Sequence, residues 1–427
     1  METKFKIAVI GLGYVGLPLA RLFSTKYPTV GFDVNTERVK TLMDGHDATF
    51  EVEDHLLQAA LRAGFVCSSD INDIRDCNVY IVAVPTPVDH NNHPLLTPLI
   101  KASEVVGKVI SKGNIVIFES TVYPGVTEEE CIPVVEHMSG LKYNTDFFAG
   151  YSPERINPGD KEHTVEKIKK VTSGSTPEIA DVVDRLYNSV LVNGTHKASS
   201  IRVAEASKII ENSQRDVNIA FMNELAKIFN AMGIDTNDVI EAAASKWNFI
   251  KLKPGLVGGH CISVDPYYLI QKAQVYGVLP RVMSDARRLN DGMGNYVAEQ
   301  VIKLMNKKGI LIKGAHILLL GITFKENCPD IRNTKVVDIY HTLNEYTNHI
   351  TIYDPWADKE KVEKEYGINI VSKDIESLKG NYDTVILTVA HNDFENLNVR
   401  RFLKNTNGGV IYDVKGVLPL EIIDGRL

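Results

Sequence analysis

The residues that decide the fold read Ile7-Ala-Val-Ile-Gly-Leu-Gly-Tyr-Val-Gly16. Four apolar residues predict a short buried strand, and the spacing G-x-G-x-x-G follows at once and opens a helical pattern. Gly11 permits a tight turn, Gly13 lets the backbone approach a pyrophosphate, and Gly16 allows the helix to pack closely on the strand. The pyrophosphate would then lie at the positive end of the helix. The stretch therefore predicts a dinucleotide-binding strand–turn–helix unit.

The next predicted strand ends at an acidic residue, Asp33, which lies 20 residues after Gly13. An acid at this position accepts hydrogen bonds from the adenosine ribose and repels a 2′-phosphate, which favours NAD over NADP. Arg38 follows closely in the sequence and weakens that preference. The glycines alone could form an ordinary turn, but strand, helix and acid in this order favour NAD binding.

Outward from this unit, short apolar runs alternate with helical patterns, which predicts a parallel sheet with helices on both faces. From about residue 201 to 305 helical patterns dominate and include a 30-residue helix over Val203–Met232. After Gly314 the strand patterns return. We therefore predict the class α/β, with two Rossmann-like, doubly wound domains joined by a long central helix and a helical region. The expected domain ranges are 1–200, 201–305 and 306–427.

Composition excludes several classes of protein. The 427 residues are 44% hydrophobic and 24% charged, as in soluble globular proteins, and the net charge of −7 makes nucleic acid an unexpected partner. The apolar runs are much shorter than the roughly 20 residues of a membrane span, and the polar start Met1–Lys6 lacks the features of a signal peptide. Five widely spaced cysteines argue against a disulfide framework, and His90-x-x-His93 lacks a third metal ligand. We expect a cytoplasmic protein without a membrane or metal.

Residues 254–266, Pro-Gly-Leu-Val-Gly-Gly-His-Cys-Ile-Ser-Val-Asp-Pro, place a cysteine in a glycine-rich loop. The glycines allow the backbone to wrap closely around a ligand, and Asp265 follows Cys261 after four residues. A thiol in such a loop is predicted to be accessible, as a nucleophile must be. The alternative is a small buried apolar residue, which is the expected fate of the other four cysteines.

A second group of candidates lies on the long predicted helix. Lys208, Asn212 and Arg215 follow the spacing i, i+4, i+7 and therefore share one helical face. An ammonium, an amide and a guanidinium there could hold a developing oxyanion and neighbouring phosphates, whereas the alternative is a solvated face with weak ion pairs. Two polar loops after predicted strands, residues 119–125 and 151–159, are either ligand-binding loops or ordinary turns.

Seven motifs in order resemble those of the UDP-glucose/GDP-mannose dehydrogenase family, over essentially the whole chain. They are Gly11-x-Gly13-x-x-Gly16, Val84-Pro-Thr86-Pro, Ser120-Thr121-Val, Ser152-Pro-Glu154-Arg155, Glu205-Ala-x-Lys208-x-x-Glu211-Asn212, Gly258-Gly-His-Cys261-Ile-x-Val-Asp265-Pro and Gly321-x-x-Phe324-Lys325-x-x-x-x-Asp330-x-Arg332. Ser263 departs from the proline that the family commonly has, which leaves the stiffness of the cysteine loop open. Residues 151–160, 245–249 and 324–334 are similar to the UDP-N-acetylhexosamine 6-dehydrogenases of Vi-type capsule and O-antigen synthesis.

This resemblance implies oxidation of the C6 hydroxyl of a UDP-N-acetylhexosamine, GlcNAc or GalNAc, to the uronic acid with two NAD in succession. Cys261 would trap the intermediate aldehyde as a thiohemiacetal and then carry a thioester. Lys208 and Asn212 would stabilise the oxygen at each stage, and Lys208 would also lower the thiol pKa. Glu154 would activate the hydrolytic water, with Thr121 and Asp265 ordering water and protons; Asp265 could instead assist removal of the first hydroxyl proton.

The resemblance also implies the binding residues and the assembly. The expected cofactor-binding residues are Gly11, Gly13, Tyr14, Val15, Gly16, Asp33, Arg38, Thr86, Thr121 and Arg332. The expected substrate-binding residues are Glu154, Arg155, Lys208, Asn212, Arg215, Lys246, Gly258, Phe324, Lys325 and Lys415. The C-terminal domain would bind the UDP portion, and the central helical region would be a dimerisation region that builds a homodimer. Lys246 is the candidate to enter the partner's site.

Other readings of the sequence make different predictions. UDP-glucose or UDP-ManNAc could be the substrate of the same chemistry. A two-electron hydroxyacid or alcohol dehydrogenase would share the layout, form one NADH and have no need of Cys261. A silent nucleotide-binding regulator would bind ligands without turnover and would tolerate the loss of Lys208 or Cys261.

Overall fold

The computed structural model describes residues 5–49, 51–89, 92–156, 164–259 and 262–427. The chain divides into two compact units. The first unit contains Met1–Glu211 and Tyr267–Val278, and the second contains Asn212–Pro266 and Leu279–Leu427. The three predicted domain ranges stay a prediction.

An eight-stranded sheet forms the centre of the first unit. Its strands are β1 (Ile7–Ile10), β2 (Thr29–Phe32), β3 (Val66–Ser68), β4 (Val79–Val82), β5 (Ile115–Phe118), β6 (Phe148–Tyr151), β7 (Lys170–Gly174) and β8 (Thr195–Lys197). They lie in the order β3-β2-β1-β4-β5-β6-β7-β8, and the first six reproduce the strand order of a dinucleotide-binding fold. The associated helices are α1 (Gly16–Ser24), α2 (Thr36–Met43), α3 (Asp54–Arg62), α4 (Thr97–Gly107), α5 (Ile132–Ser139) and α6 (Pro177–Asn188).

Strand β1 shows why this sheet lies at the centre of the unit. Ile7 and Val9 belong to one buried apolar cluster, and Ala8 and Ile10 belong to another. Alternate side chains point to opposite faces of a sheet, so both faces of β1 are covered. Strands that are buried on both faces have continuous apolar sequences, and β1 was predicted from such a run of four apolar residues.

One pair in this sheet differs from the predicted parallel arrangement. Strands β6 and β7 are antiparallel, whereas the pairs before them and the pair β7–β8 are parallel. A parallel pair requires a crossover connection, usually a helix. The described parts of the connection between β6 and β7, residues 152–156 and 164–169, contain no helix. Strands β3, β6, β7 and β8 were not predicted, because they lack the continuous β-branched apolar run by which the other strands of this sheet were predicted.

The predicted long helix is present as α7 (Ile201–Met232), which is 32 residues long. The boundary between the two units falls within it, between Glu211 and Asn212. Further helices follow as α8 (Thr236–Ala244), α9 (Asp265–Val275), α10 (Arg281–Asp291) and α11 (Met293–Lys307). None of the helices in the described part of the chain is long and apolar enough to cross a membrane.

The second unit contains a five-stranded parallel sheet in the order β10-β9-β11-β12-β13. The strands are β9 (Ile317–Leu320), β10 (Ile350–Tyr353), β11 (Thr384–Leu387), β12 (Val410–Asp413) and β13 (Gly425–Arg426), with the helices α12 (Val336–Asn344) and α13 (Lys359–Tyr366) between them. All four residues of β9 are fully buried, and they alternate between two apolar clusters. The predicted α/β class with two Rossmann-like sheets and a long central helix is confirmed.

Candidate active site

The glycine-rich turn after β1 has the geometry that a dinucleotide requires. Gly11 has φ +92°, and a Cβ there would lie 2.7 Å from the carbonyl oxygen of Ala83. A Cβ at Gly16 would lie 1.8 Å from the carbonyl oxygen of Gly11, so the start of α1 packs directly on the turn. Among the described residues, no heavy atom lies within 4 Å of a Cβ built on Gly13, which is exposed. This open side, at the amino terminus of α1, suits the approach of a pyrophosphate.

Asp33 and Arg38 are both held beside the turn. The carboxylate of Asp33 accepts hydrogen bonds from the backbone N–H of Leu12 at 2.8 Å and from that of Asn35 at 2.9 Å. Arg38 donates from Nε to the carbonyl oxygen of Leu12 and pairs with the buried Asp47 at 2.7 Å. Because Asp47 neutralises Arg38, the arginine offers less attraction to a 2′-phosphate, while Asp33 keeps an acid at the ribose position. These residues fit NAD.

The loop after β4, which contains Val84 and Thr86, is joined to the polar loop after β5. Thr86 donates from Oγ1 to the carbonyl oxygen of Thr121 at 2.7 Å, and Ser120 donates from Oγ to that of Val84 at 2.6 Å. Tyr268 of α9 is fully buried and donates from its hydroxyl to the carbonyl oxygen of Thr86 at 2.7 Å. Both loops follow the carboxyl ends of neighbouring parallel strands, where ligands of such sheets bind.

Glu154 lies in the loop after β6 and is buried. Its Oε1 accepts from the backbone N–H of Arg155 at 2.6 Å and from that of Ile156 at 2.5 Å. Its Oε2 is buried and accepts no hydrogen bond from the described residues, although the ammonium of Lys170 lies 3.8 Å away. One oxygen therefore fixes the orientation of the carboxylate, and the other faces Lys170.

A buried ion pair lies beside Glu154. Lys170, the first residue of β7, contacts Glu119 with Nζ–Oε2 2.6 Å, and both side chains are fully buried. Tyr187 of α6 donates to the other oxygen of Glu119 at 2.5 Å. Burial raises the pKa of Glu119 to about 7, against the attraction of Lys170. Burial alone would lower the pKa of Lys170, but Glu119 and Glu154 raise it above its ordinary value.

Helix α7 is tied to the loop after β5 through Glu205. This fully buried carboxylate accepts from the backbone N–H groups of Gly125 at 2.6 Å and Thr127 at 2.9 Å. Burial raises the pKa of Glu205 to about 7 in spite of these donors. Lys208, one turn further along the helix, is also buried.

In the second unit, Asn212 and Asp265 meet. The amide of Asn212 donates to Oδ2 of Asp265 at 2.5 Å, and both side chains are buried. The amide Nδ2 is a donor, so this bond orients the side-chain amide of Asn212. The predicted catalytic Cys261 lies outside the described residues, as does His260.

The described residues on either side of that cysteine are closely packed within the second unit. Gly259 has φ +84°, and a Cβ there would lie 2.7 Å from the ring of Phe324. A Cβ on Gly258 would lie 2.6 Å from the carbonyl oxygen of Asn333. The carbonyl oxygen of Gly259 accepts hydrogen bonds from Asn333 at 3.1 Å and from Ser263 at 2.6 Å. The hydroxyl of Ser263 therefore ties the described residues on the two sides of the cysteine to each other.

Three family models match the chain in succession. They describe the NAD binding domain, the central domain and the UDP binding domain of the UDP-glucose/GDP-mannose dehydrogenase family, and they match residues 5–191, 202–292 and 318–419. The chain belongs to this family. It therefore carries the family's NAD binding domain, and the resemblance seen in the seven motifs is confirmed.

Individual relatives resemble the chain over its whole length. The UDP-N-acetyl-D-glucosamine 6-dehydrogenase of Pseudomonas aeruginosa is 57% identical over 99% of both chains. The protein with the same name in Salmonella typhi is 54% identical over 99% of this chain and 98% of its own. Among solved structures, the UDP-D-ManNAc dehydrogenase of Pyrococcus horikoshii has a TM-score of 0.89 at 29% identity and covers 99% of this chain and 98% of its own.

The remaining site residues predicted from the sequence form ion pairs, contact an aromatic ring or lie at the surface. Arg155 forms a two-point ion pair with Glu211. Arg332 pairs with Asp330, while Lys415 contacts Glu326 at 3.3 Å. The ammonium of Lys325 lies over the ring of Phe324, 5.7 Å from its centroid. Arg215 and Lys246 are exposed.

Sequence analysis missed several residues that shape the site. Glu119 is part of a polar loop that was noted, but no role was assigned to it, and Lys170 gave no motif at all. A lysine at the start of a buried strand is the signal that could have found it, since a buried ammonium needs a partner. Tyr268 and Asn333 were missed because their partners are backbone groups far away in the sequence. The other four cysteines are buried, as predicted.

Proposed function

We propose that this protein is a UDP-N-acetyl-D-glucosamine 6-dehydrogenase that oxidises the C6 hydroxyl to a carboxylate in two NAD-dependent steps. The observation that carries the proposal is the similarity, over 99% of the chain, to two proteins of that name at 57% and 54% identity. A capsule-linked relative, Protein CapL of Staphylococcus aureus, is 51% identical over 96% of the chain, which supports a role in surface polysaccharide synthesis. UDP-GalNAc is the nearest alternative substrate, followed by UDP-ManNAc and UDP-glucose.

The cofactor site is assigned to the turn after β1. Gly11, Gly13 and Gly16 with Tyr14 and Val15 would hold the pyrophosphate. The ribose side is assigned to Asp33 and Arg38, and the remaining contacts are assigned to Thr86, Thr121 and Arg332. Bound NAD supplies the hydride acceptor for each oxidation.

The proposed chemistry uses a covalent intermediate on Cys261. Its thiolate would add to the C6 aldehyde, and loss of the second hydride would leave a thioester. Lys208 and Asn212 would stabilise the oxygen of C6, and the hydrogen bond from Asn212 to Asp265 would keep the amide in position. Asp265 would also accept or order protons.

Hydrolysis of the thioester needs a base, and Glu154 is the proposed one. The two backbone N–H groups that bind its Oε1 leave Oε2 directed toward Lys170. Water would attack the thioester carbon while its proton passes to Glu154, and Thr121 would order that water.

The UDP portion is assigned to the family's UDP binding domain. Phe324 and Lys325 would contact the sugar nucleotide, with Gly258 and Lys415 as further contacts. Arg155, Arg215 and Lys246 are proposed as additional contacts with the substrate. Of these, Lys246 would serve the site of a partner subunit.

A homodimer is proposed from the apolar surface of the second unit. Several large apolar side chains are exposed on α7 and in the segment after α8, and Trp247 is 91% exposed. They are Phe221, Ile228, Met232, Trp247 and Ile250. Exposed apolar residues this numerous favour an interface, and the occupant we propose is a second copy of this chain. We also propose the cytoplasm as its location, where NAD and nucleotide sugars are available.

The test is the stoichiometry of NADH on UDP-GlcNAc, UDP-GalNAc, UDP-ManNAc and UDP-glucose. The wild type should form two NADH per UDP-GlcNAc, because the aldehyde stays covalently bound. The Cys261→Ser variant should not complete the oxidation to the uronic acid. The matched control is Cys131→Ser, which replaces a buried cysteine and should keep turnover. Full production of the uronic acid by Cys261→Ser would contradict the assignment of Cys261 as the nucleophile. One NADH per sugar in the wild type would favour a two-electron dehydrogenase.

A further inference from the structure

A buried histidine in the second unit contacts one turn at two places. The turn consists of residues 323–327 and follows β9, and the histidine is His391, in the loop after β11. The backbone N–H of Asn327 donates to Nδ1 of His391 at 3.0 Å, while Nε2 lies 3.1 Å from Oγ1 of Thr323. Because a backbone N–H can only donate, Nδ1 accepts this bond and the ring hydrogen lies on Nε2.

The hydrogen bonds continue from Thr323 into the turn. Its hydroxyl donates to the carbonyl oxygen of Lys325 at 2.9 Å, so its oxygen accepts from Nε2 of His391. The same Nε2 lies 3.2 Å from Oδ2 of Asp354, which also accepts from the backbone N–H groups of Ile322 at 2.6 Å and Thr323 at 3.1 Å. One imidazole therefore holds both the beginning and the end of the turn.

The orientation of this imidazole is fixed by aromatic neighbours. Trp356 stacks on His391 with ring centroids 6.2 Å apart and an angle of 14° between the rings, and Phe394 meets it edge-on at 5.5 Å. A second link joins the same loop to the turn, because the side chain of Asn327 donates to that of Asn392 and accepts from its backbone N–H, both at 2.9 Å. The two loops are thus held together by polar contacts with defined directions.

An apolar ring at position 391 would fill the same space without these contacts. It would leave the N–H of Asn327 without this acceptor and Oγ1 of Thr323 without this donor. A buried polar side chain that bonds both ends of one turn fixes the conformation of that turn more narrowly than packing does.

The turn carries residues that are assigned to the sugar nucleotide. Phe324 and Lys325 lie within it, and Lys415 contacts it through Glu326 at 3.3 Å. We propose that His391 is a positioning residue that holds Phe324 and Lys325 in the arrangement that binds the UDP portion of the substrate. This inference rests on the proposed function.

The test compares two substitutions at His391, of which one keeps a ring and the other keeps an acceptor. His391→Phe fills the space and removes both nitrogens. His391→Asn places Oδ1 near the position of Nδ1, where it can accept from Asn327, but leaves part of the space empty. Titration calorimetry with UDP should give a Kd about tenfold above wild type for His391→Phe and at most about threefold above it for His391→Asn.

Kinetics separate this role from a general loss of structure. In His391→Phe the KM for UDP-GlcNAc should rise with the Kd of UDP, while kcat and the Kd of NADH stay within about twofold of wild type, because the NAD-binding turn belongs to the first unit. The matched control is His349→Asn, the same change at an exposed histidine of the second unit, which should bind UDP like wild type.

The possible results also separate this inference from the proposed function. An unchanged Kd of UDP in His391→Phe, or a larger loss of UDP affinity in His391→Asn than in His391→Phe, would overturn the role of His391. A wild type that binds UDP but forms no NADH with UDP-GlcNAc would overturn the proposed function, and the UDP titrations would still decide on His391. If His391→Phe does not fold, His391→Gln replaces it, because its amide matches the position of Nε2 and leaves the N–H of Asn327 without an acceptor. A Kd for that variant no higher than that of His391→Asn would refute the proposal.

Discussion

Gly16→Ala should destabilise the first unit, because a methyl group at this position has no space. The added Cβ would lie 1.8 Å from the carbonyl oxygen of Gly11 and 3.2 Å from the Cβ of Ala83. Real Cβ atoms stay beyond 3.0 Å from such an atom, so the start of α1 must move away from the turn by about 1.2 Å. The contact is with backbone atoms, which cannot rotate aside as a flexible side chain could.

Overpacking of this kind costs about 1–3 kcal/mol. For a domain of 150–250 residues, each kcal/mol lowers the Tm by about 2–4 °C, so we expect a decrease of about 2–12 °C. The same displacement moves the N–H groups at the amino terminus of α1, and NADH should therefore bind more weakly.

Thermal unfolding followed by circular dichroism, together with NADH titration by fluorescence, measures both effects. Gly13→Ala is the matched control, because no described heavy atom lies within 4 Å of its added Cβ. The Tm of this control should stay within about 2 °C of wild type, while its NADH affinity falls because the methyl group occupies the approach of the pyrophosphate. An unchanged Tm in Gly16→Ala, or an equal loss of Tm in both variants, would refute the reasoning.

Three further predictions concern buried polar groups. Tyr268→Phe removes the donor to the carbonyl oxygen of Thr86. We expect the free energy of unfolding, measured in urea, to fall by about 1–3 kcal/mol and the KM for NAD to rise. An unchanged KM would contradict this. Arg287→Met leaves the buried Asp216 without its ion partner and should lower the free energy of unfolding by about 3–5 kcal/mol. Adding Asp216→Asn should recover part of that loss. A double variant that is no more stable than Arg287→Met would contradict this. The pKa of Glu205 rises from its ordinary 4.5 to about 7 on folding, so this residue stabilises the fold less as pH rises through that interval. The Tm of Glu205→Gln relative to wild type should therefore increase from pH 5 to pH 8, and a constant difference would refute the assignment.

The sequence was sufficient for the fold class because its signals are local. Four apolar residues before Gly11-x-Gly13-x-x-Gly16 identify β1, the turn and α1 from a single short stretch. The helix predicted over Val203–Met232 differs from the observed Ile201–Met232 by two residues at one end. Periodicity acts over neighbouring residues, so it needs no knowledge of distant contacts.

The short strands were not predicted, because their signals depend on distant parts of the chain. Strand β7 has five residues, begins with a lysine and pairs antiparallel with β6, so its identity depends on a partner about 20 residues away along the chain. In strands, what stabilises a residue is packing against neighbours and burial, and intrinsic preference contributes less.

For the site, the sequence alone determined which chemical groups are present: the glycine turn, Asp33, and the motifs that contain Glu154, Asn212 and Asp265. Only the tertiary structure decided how those groups are held. It joins Asn212 to Asp265, and it buries Lys170 against Glu119, 3.8 Å from Oε2 of Glu154. Such pairs link residues from about 15 to more than 50 positions apart, and the strength of each interaction depends on the burial of its partners and on the distance between them in the folded chain. Those quantities exist only once folding has brought the partners together.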